Sequence, residues 1–380
     1  MQKKIIALAV AGLASTAAFA QSNVTIYGSV DAGYTYRWDA ENKLTGANSK
    51  TRSSIDTGNS AGNRLGFKGV EDLGNGLKAV FLLEQGFNFD GSSATNNQGG
   101  RTYGRQAYVG LAGNFGTAVA GRLYTPYWNL TAGADPFGAG TVAEMRNVFS
   151  SGSGVDGLLD PVRVDNAVAY ISPSFGGVNV TLAYANAVGV SDAATAENAN
   201  NNARNNTVYA GLVQYVGGPV NVGFNVHRIA IGSAVPNTTA KSVDNFTLAG
   251  TFDAKVAKLH AMAQYNVVDS SLAQGDATTS AYMLGVTVPV GKISLKSSVT
   301  YSDYNGEAKS GLRGQATQYA FGADYALSKR TNFYTAYSLI DANVARAGTI
   351  MGTTDASNNG LAATANPFQQ GFTLGLRHQF

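Results

Sequence analysis

The chain has 380 residues, of which 44% are hydrophobic and 13% charged, with 46 glycines, 19 tyrosines and no cysteine. This balance is too apolar for a disordered chain, and the missing cysteines remove disulfides, thiolate catalysis and cysteine metal sites together. Setting Lys3 and Lys4 aside leaves 25 basic residues against 24 acidic ones, which excludes a nucleic-acid surface built on excess positive charge.

Lys3 and Lys4 precede an apolar run from Ile5 to Ala14, and small residues then lead to Ala18, Phe19 and Ala20. A charged start, an apolar middle and an A-x-A end make a secretory signal peptide, 1–20, cleaved between Ala20 and Gln21. The run is too short for a membrane anchor, since a helix needs about 20 apolar residues to cross the hydrocarbon. The remainder, 21–380, reads as one closed unit.

Strand-like segments of about ten residues recur from there on. Examples are Asn23 to Trp38, Gly76 to Phe89, Val178 to Ala185, Pro219 to Ile229 and Thr331 to Ile340. Short turns are expected at Glu71 to Asn75, Gly113 to Gly116, Pro173 to Gly177, Gly217 to Pro219, Asp253 to Lys255, Pro289 to Gly291 and Leu327 to Arg330. Long polar connections are expected near 39–62, 90–100, 125–162, 186–206, 232–240, 269–277, 303–315 and 342–366. Seven short and eight long connections in alternation give sixteen antiparallel strands, and the even number puts both termini on one side.

In the last segment Phe372, Leu374, Leu376, His378 and Phe380 share one face, while Thr373, Gly375, Arg377 and Gln379 share the other. An apolar outside and a polar inside suit a barrel in lipid, where a closed sheet leaves no unpaired edge. Aromatics at strand ends, such as Tyr34, Tyr36, Trp38, Phe87, Phe89 and Phe380, fit membrane-interface girdles. A soluble β-sandwich would also alternate, but it accounts for neither the girdles nor the signal peptide. The fold class is thus all-β, a sixteen-stranded antiparallel transmembrane barrel.

Parity assigns the lumen. With Leu65 and Phe67 outward, Arg64, Gly66 and Lys68 turn inward; Lys78 and Glu84 follow on the next strand, and Arg122 in GTAVAGRLY. Around Arg105 both faces are small or apolar, which fits either a subunit contact or a poorly patterned strand. The connection at 125–162 carries Asp135, Glu144, Asp156 and Asp160, and its length is unusual for a compact fold.

Three other patterns carry no chemistry. Gly152, Gly154 and Gly157 satisfy G-x-G-x-x-G without the strand and helix that a dinucleotide site requires. GNSAG at Gly58 to Gly62 matches a nucleophile elbow but reads as a polar outer loop. The adjacent Glu71 and Asp72 read as turn residues, and His227, His260 and His378 lie on separate strands without metal-ligand spacing, so interfacial or subunit-contact roles are expected for them. No cofactor or metal is expected.

VTIYGSVDAGY, NRLGFKGVEDLGNGLKAVFLLEQGF, GRQAYVGLAGNFGTAVAGR, SPSFGG and the terminal LGLRHQF closely resemble the trimeric general porins of β-proteobacteria, the Neisseria, Bordetella and Comamonas type. The resemblance runs over the whole mature chain. It implies a water-filled outer-membrane barrel in a Gram-negative cell, three per assembly, passing ions and small hydrophilic solutes. The partners it implies are a homotrimer, lipid and lipopolysaccharide, and the assembly machinery, which would read Phe380 as its signal. It also implies that the 125–162 loop folds inward and narrows the barrel, its acids facing basic residues on the wall. Arg64, Arg105 and Arg163 match the family's constriction arginines by context, Arg163 through PVRVDNAVAY. A modest anion preference is expected, against the alternative that these bases are neutralised by Glu71, Asp72 or the loop acids. The rivals are a substrate-specific channel of the same fold and an adhesin acting through its outer loops.

Overall fold

The computed structural model describes residues 23–38, 51–90, 101–149, 161–188, 206–231, 240–270, 276–305, 313–342 and 370–380. The signal segment, the cleavage pair Ala20 and Gln21, the glycines of GSGVDG, and the loop acids Asp156 and Asp160 lie outside the described residues.

The strands are β1 (Asn23–Trp38), β2 (Thr51–Thr57), β3 (Arg64–Gly74), β4 (Leu77–Gly86), β5 (Gln106–Gly113) and β6 (Gly116–Tyr124). Helices α1 (Pro126–Ala134) and α2 (Arg146–Phe149) follow, then β7 (Arg163–Ile171), β8 (Val178–Val188), β9 (Asn206–Gly217) and β10 (Val220–Ala230). The chain continues through β11 (Ala240–Asp253), β12 (Lys258–Ser270), β13 (Ala277–Val290), β14 (Ile293–Asn305), β15 (Arg313–Ala326), β16 (Thr331–Ala342) and β17 (Gln370–Gln379).

Apart from β2 and β3, neighbours in sequence pair antiparallel, and β17 pairs with both β16 and β1, so the sheet closes on itself. The other edge of β1 is shared. Its second half, Ala32 to Trp38, pairs with β2, and its first half, Asn23 to Ser29, pairs with β3. β2 and β3 are therefore two halves of one wall strand, and the barrel has the expected sixteen strands. At the seam, Gly28 and Phe380 exchange backbone hydrogen bonds of 3.1 Å each, which leaves no free edge where the chain ends.

Alternation is sharp where the wall is fully paired. On β13, Met283 is 1% exposed and Leu284 is 69% exposed. Such outward residues, with Ile26, Leu248, Phe321 and Leu374, form the apolar exterior that lipid requires. Tyr36, Trp38 and Tyr337 cluster on it with ring centroids 5.1 and 6.1 Å apart.

Two expectations shift. Residues 51–57 form β2, so the first long connection ends earlier than position 62. GNSAG is no outer loop but the inward bend between the two halves of that strand. Asp31 holds the bend by accepting from the backbone N–H groups of Ser60 and Ala61 at 2.9 and 2.8 Å, and Gly58 takes φ +71° to make it. Glu71 and Asp72 stand opposite Ala79 and Lys78 within the β3–β4 ladder rather than in a turn. The turn itself is Asn75–Gly76, where Gly74, Asn75 and Gly76 all have positive φ and can reverse the chain later than expected.

Candidate pore constriction

The segment after β6 is started by Thr125, whose Oγ1 accepts from Trp128 N at 3.1 Å as an N-cap, with Pro126 in the first helical turn. From there the segment runs along the inner face of the barrel. Tyr127 Oη donates to Gln264 Oε1 at 2.7 Å, and its ring meets the edge of His227 at 5.5 Å. His260 Nδ1 lies 2.9 Å from Ala134 O at the end of α1. Asn147 Nδ2 donates to Gln318 Oε1 at 2.8 Å, Gln318 Nε2 donates to the carbonyls of Ala143 and Glu144 at 3.1 Å each, and Ser338 Oγ donates to Val142 O at 2.6 Å.

Two apolar clusters lie beneath these bonds. Leu130, Ala134, Met145 and Phe149 pack on Leu212, Ala249, Met262 and Met283; Phe137, Val142 and Val148 pack on Ala316, Ala320 and Ile340. On the far side Thr141 N donates to Asn59 O, so the inward bend of the wall meets the loop there.

The opposite wall carries the charges. Arg64 Nε donates to Gly62 O at 3.1 Å, and Lys68 lies over the Tyr27 ring at 5.4 Å. Among the described residues neither has a carboxylate within ion-pair distance. Both face inward as parity requires, because they stand opposite Ser29 and Thr25 on the inner side of β1. Glu84 instead accepts from Arg105 Nε at 2.7 Å and from Tyr27 Oη at 2.8 Å. Tyr124 Oη accepts from Arg105 at 2.7 Å and from Arg163 at 3.0 Å, so the two guanidinium groups meet at one hydroxyl. Arg163 also lies over the Tyr124 ring at 4.7 Å.

Arg122 sits where the ladder shifts register between Gly121 and Leu123, so simple alternation does not apply to it. It pairs with Asp165 at 2.7 Å, and Arg101 holds the same carboxylate at 2.8 Å. Lys78 is exposed at the short-turn rim, opposite Asp72.

Of the loop acids, Asp135 and Glu144 are among the described residues, and both are buried within the loop and its contacts. Asp135 accepts from the N–H groups of Phe137, Ala139 and Met145 at 3.0, 3.0 and 3.1 Å, which ties the loop to itself. Burial pushes its carboxyl above the ordinary aspartate range, against the pull of those three donors. Glu144 is buried where the loop meets β15. His227 and His260 are lumen residues under the loop rather than interfacial ones; His378 is exposed and bonds Thr331 at 2.8 Å. Asp31, Tyr27 and Tyr124 were legible only in part. Parity along β1 puts Asp31 and Tyr27 inside, but nothing local reveals that Tyr124 gathers two arginines.

A family model described as Gram-negative porin matches residues 7–345. This chain belongs to the Gram-negative porin family. It is 33% identical to outer membrane porin protein 32 of Delftia acidovorans, with all of both chains covered. It is 32% identical to an outer membrane porin protein of Bordetella pertussis, covering 88% of this chain and 93% of that one. Among solved structures it superposes on the anion-selective porin from Comamonas acidovorans with a TM-score of 0.72 at 26% identity, covering 95% and 100% of the two chains. This porin is accordingly a multi-pass barrel of a Gram-negative outer membrane and a passive channel for small hydrophilic solutes, and its family consists of channels rather than enzymes.

Proposed function

We propose that this porin prefers anions and that its narrowest part lies between the 125–162 loop and the wall formed by β1 and β3 to β7. The observation carrying this is that Arg64 and Lys68 face the lumen with no carboxylate in ion-pair range among the described residues, while Asp135 is turned into its own loop. Arg105 is paired with Glu84, while Arg122 and Arg101 share the single carboxylate of Asp165 and so leave a net positive charge there. Rings of one charge sign select the opposite ion. The anion selectivity named for the Comamonas structure supports the same reading.

The chain is further proposed to be exported by residues 1–20, read by the outer-membrane assembly machinery through Phe380, and assembled as a homotrimer in contact with lipid and lipopolysaccharide. Single-channel recording of the refolded mature chain under a salt gradient tests the core of this. Three equal closing steps with a reversal potential on the anion side are expected. A cation-side potential sinks the selectivity, and silence from folded protein sinks the open channel.

A further inference from the structure

Three inward positions of the wall that lie under the loop are glycines, one each on β10, β13 and β15. A Cβ placed at Gly223 would lie 2.8 Å from Leu130 Cδ1, and one at Gly285 would lie 2.5 Å from Pro136 Cγ. One at Gly322 would lie 2.8 Å from Phe137 Cε1. Ordinary carbon contacts are about 3.5–4.0 Å, so in each case a loop side chain occupies space that any other wall residue would fill.

The loop residues meet these dimples in chain order. Leu130 reaches β10, the Ala134 carbonyl reaches His260 on β12, Pro136 reaches β13 and Phe137 reaches β15. Larger or polar residues such as Met262, Met283, Gln264 and Gln318 are buried on the same inner surface, alongside the alanines opposite Gly223 and Gly322, Ala249 and Ala336. At Gly223 and Gly285 the nearest atom to an added Cβ belongs to the loop, whereas at Gly322 the neighbouring strand's Thr335 O is nearer still. None of the three has a positive φ, and glycine weakens a strand interior. Their common feature is the loop side chain pressed against each.

The geometry points to Gly223, Gly285 and Gly322 as positioning residues that set the width of the pore by fixing how deeply the loop seats against the wall. This rests on the reading that the water path runs on the loop's other side. Each missing side chain lets the loop sit closer to the wall by about 1 Å than an alanine would allow, the difference between the distances above and normal contact. At Gly285 the added bulk meets the rigid Pro136 ring, and since the wall is held by its ladder on both sides the loop moves toward the basic wall; at Gly223 rotation of Leu130 relieves part of the clash, so the effect there is smaller. Selectivity should survive, since no charge is altered.

The test compares Gly285→Ala and Gly223→Ala with the parent as refolded full-length channels in a planar bilayer. Gly322→Ala is avoided because its Cβ would also lie 2.6 Å from Thr335 O on the neighbouring strand. Gly285→Ala should conduct roughly a third less than the parent and Gly223→Ala should fall by less, both with an unchanged reversal potential. Trimming the loop partner should restore conductance: Pro136→Ala in the Gly285→Ala background, and Leu130→Ala in the Gly223→Ala background, each measured against the loop variant alone. A variant that merely misfolds gives no steady channel and no rescue. Parent-like conductance in both glycine variants, or reduced conductance that trimming fails to restore, overturns the proposal. Failure of the channel reading itself would show instead as a silent parent.

Discussion

From β1 to β5 the inner surface carries Asp31, Arg37, Arg64, Lys68 and Glu84, with Arg105 just before β5, whereas from β10 to β15 it carries Asn225, Asn245, Gln264, Met262, Met283 and Gln318. The first side keeps ions, matched or unmatched. The second keeps mainly amides and thioethers, with one ion pair, Lys296 and Asp324 at 2.6 Å, beside Phe137 of the loop, and protein covers it. Burying an unpaired ion under the loop would cost several kcal/mol, while an amide can both donate to and accept from loop backbone at little net cost. Gln318 does this, bonding Asn147 and two loop carbonyls at once. Under the loop, neutral hydrogen-bonding groups thus predominate, while on the other side Asp31, Arg37, Glu84 and Arg105 are buried in bonded networks and Arg64 and Lys68 are left facing the pore.

The strongest way to break this division is to undock the loop. Tyr127 is fully buried and bonded to Gln264. Tyr127→Ala should cost about 3–5 kcal/mol of docking, as for other buried aromatics cut to alanine. Open-channel current should become noisier and larger, and Gln264→Leu should reproduce part of the effect; a quiet trace of parent size would mean that the loop is held elsewhere.

On the charged side, Arg105→Gln takes away the guanidinium bonded to Glu84, which keeps its bond from Tyr27 and the attraction of Arg64. A loss of about 2–3 kcal/mol is expected, less than for a fully buried pair because the Tyr27 bond remains. It should be visible as earlier unfolding in denaturant followed by gel mobility. Selectivity should move toward cations, and Glu84→Gln added to Arg105→Gln should return it to the parent value, because the pair is then removed as a neutral unit. Arg64→Gln with Lys68→Gln instead removes two charges that have no carboxylate within ion-pair distance among the described residues. The expected outcome is little change in stability and about a threefold to fivefold fall in the anion-to-cation permeability ratio. An unaltered reversal potential would assign the field to Arg163 or to the loop rims.

Much of this was readable from period-two alternation. It pointed to the barrel and to the inward placement of Arg64, Lys68 and Glu84, because a residue's face depends only on its neighbours along one strand, while the strand number came from the alternation of short and long connections. It failed where the ladder is broken. Arg122 lies at the register shift beside Gly121, and residues 58–63 leave the wall because Asp31, some 30 positions earlier, accepts their N–H groups. Pairings across strands were equally out of reach: no local pattern says that Arg105 will find Glu84 or that Tyr124 will collect Arg105 and Arg163.

Asp135 offers the smallest effect and the sharpest contrast between sequence and structure. Counting loop acids makes it half of a transverse field, whereas its oxygens are already taken by three N–H groups of its own loop. Asparagine keeps one acceptor oxygen and replaces the other with a donor that faces the Ala139 and Met145 N–H groups. Asp135→Asn should therefore loosen the turn by about 1–2 kcal/mol, while the reversal potential stays at the parent value. If the potential moves toward anions as strongly as Arg64→Gln moves it away, the Asp135 charge is felt in the pore, and the separation between a loop that positions and a wall that selects no longer holds.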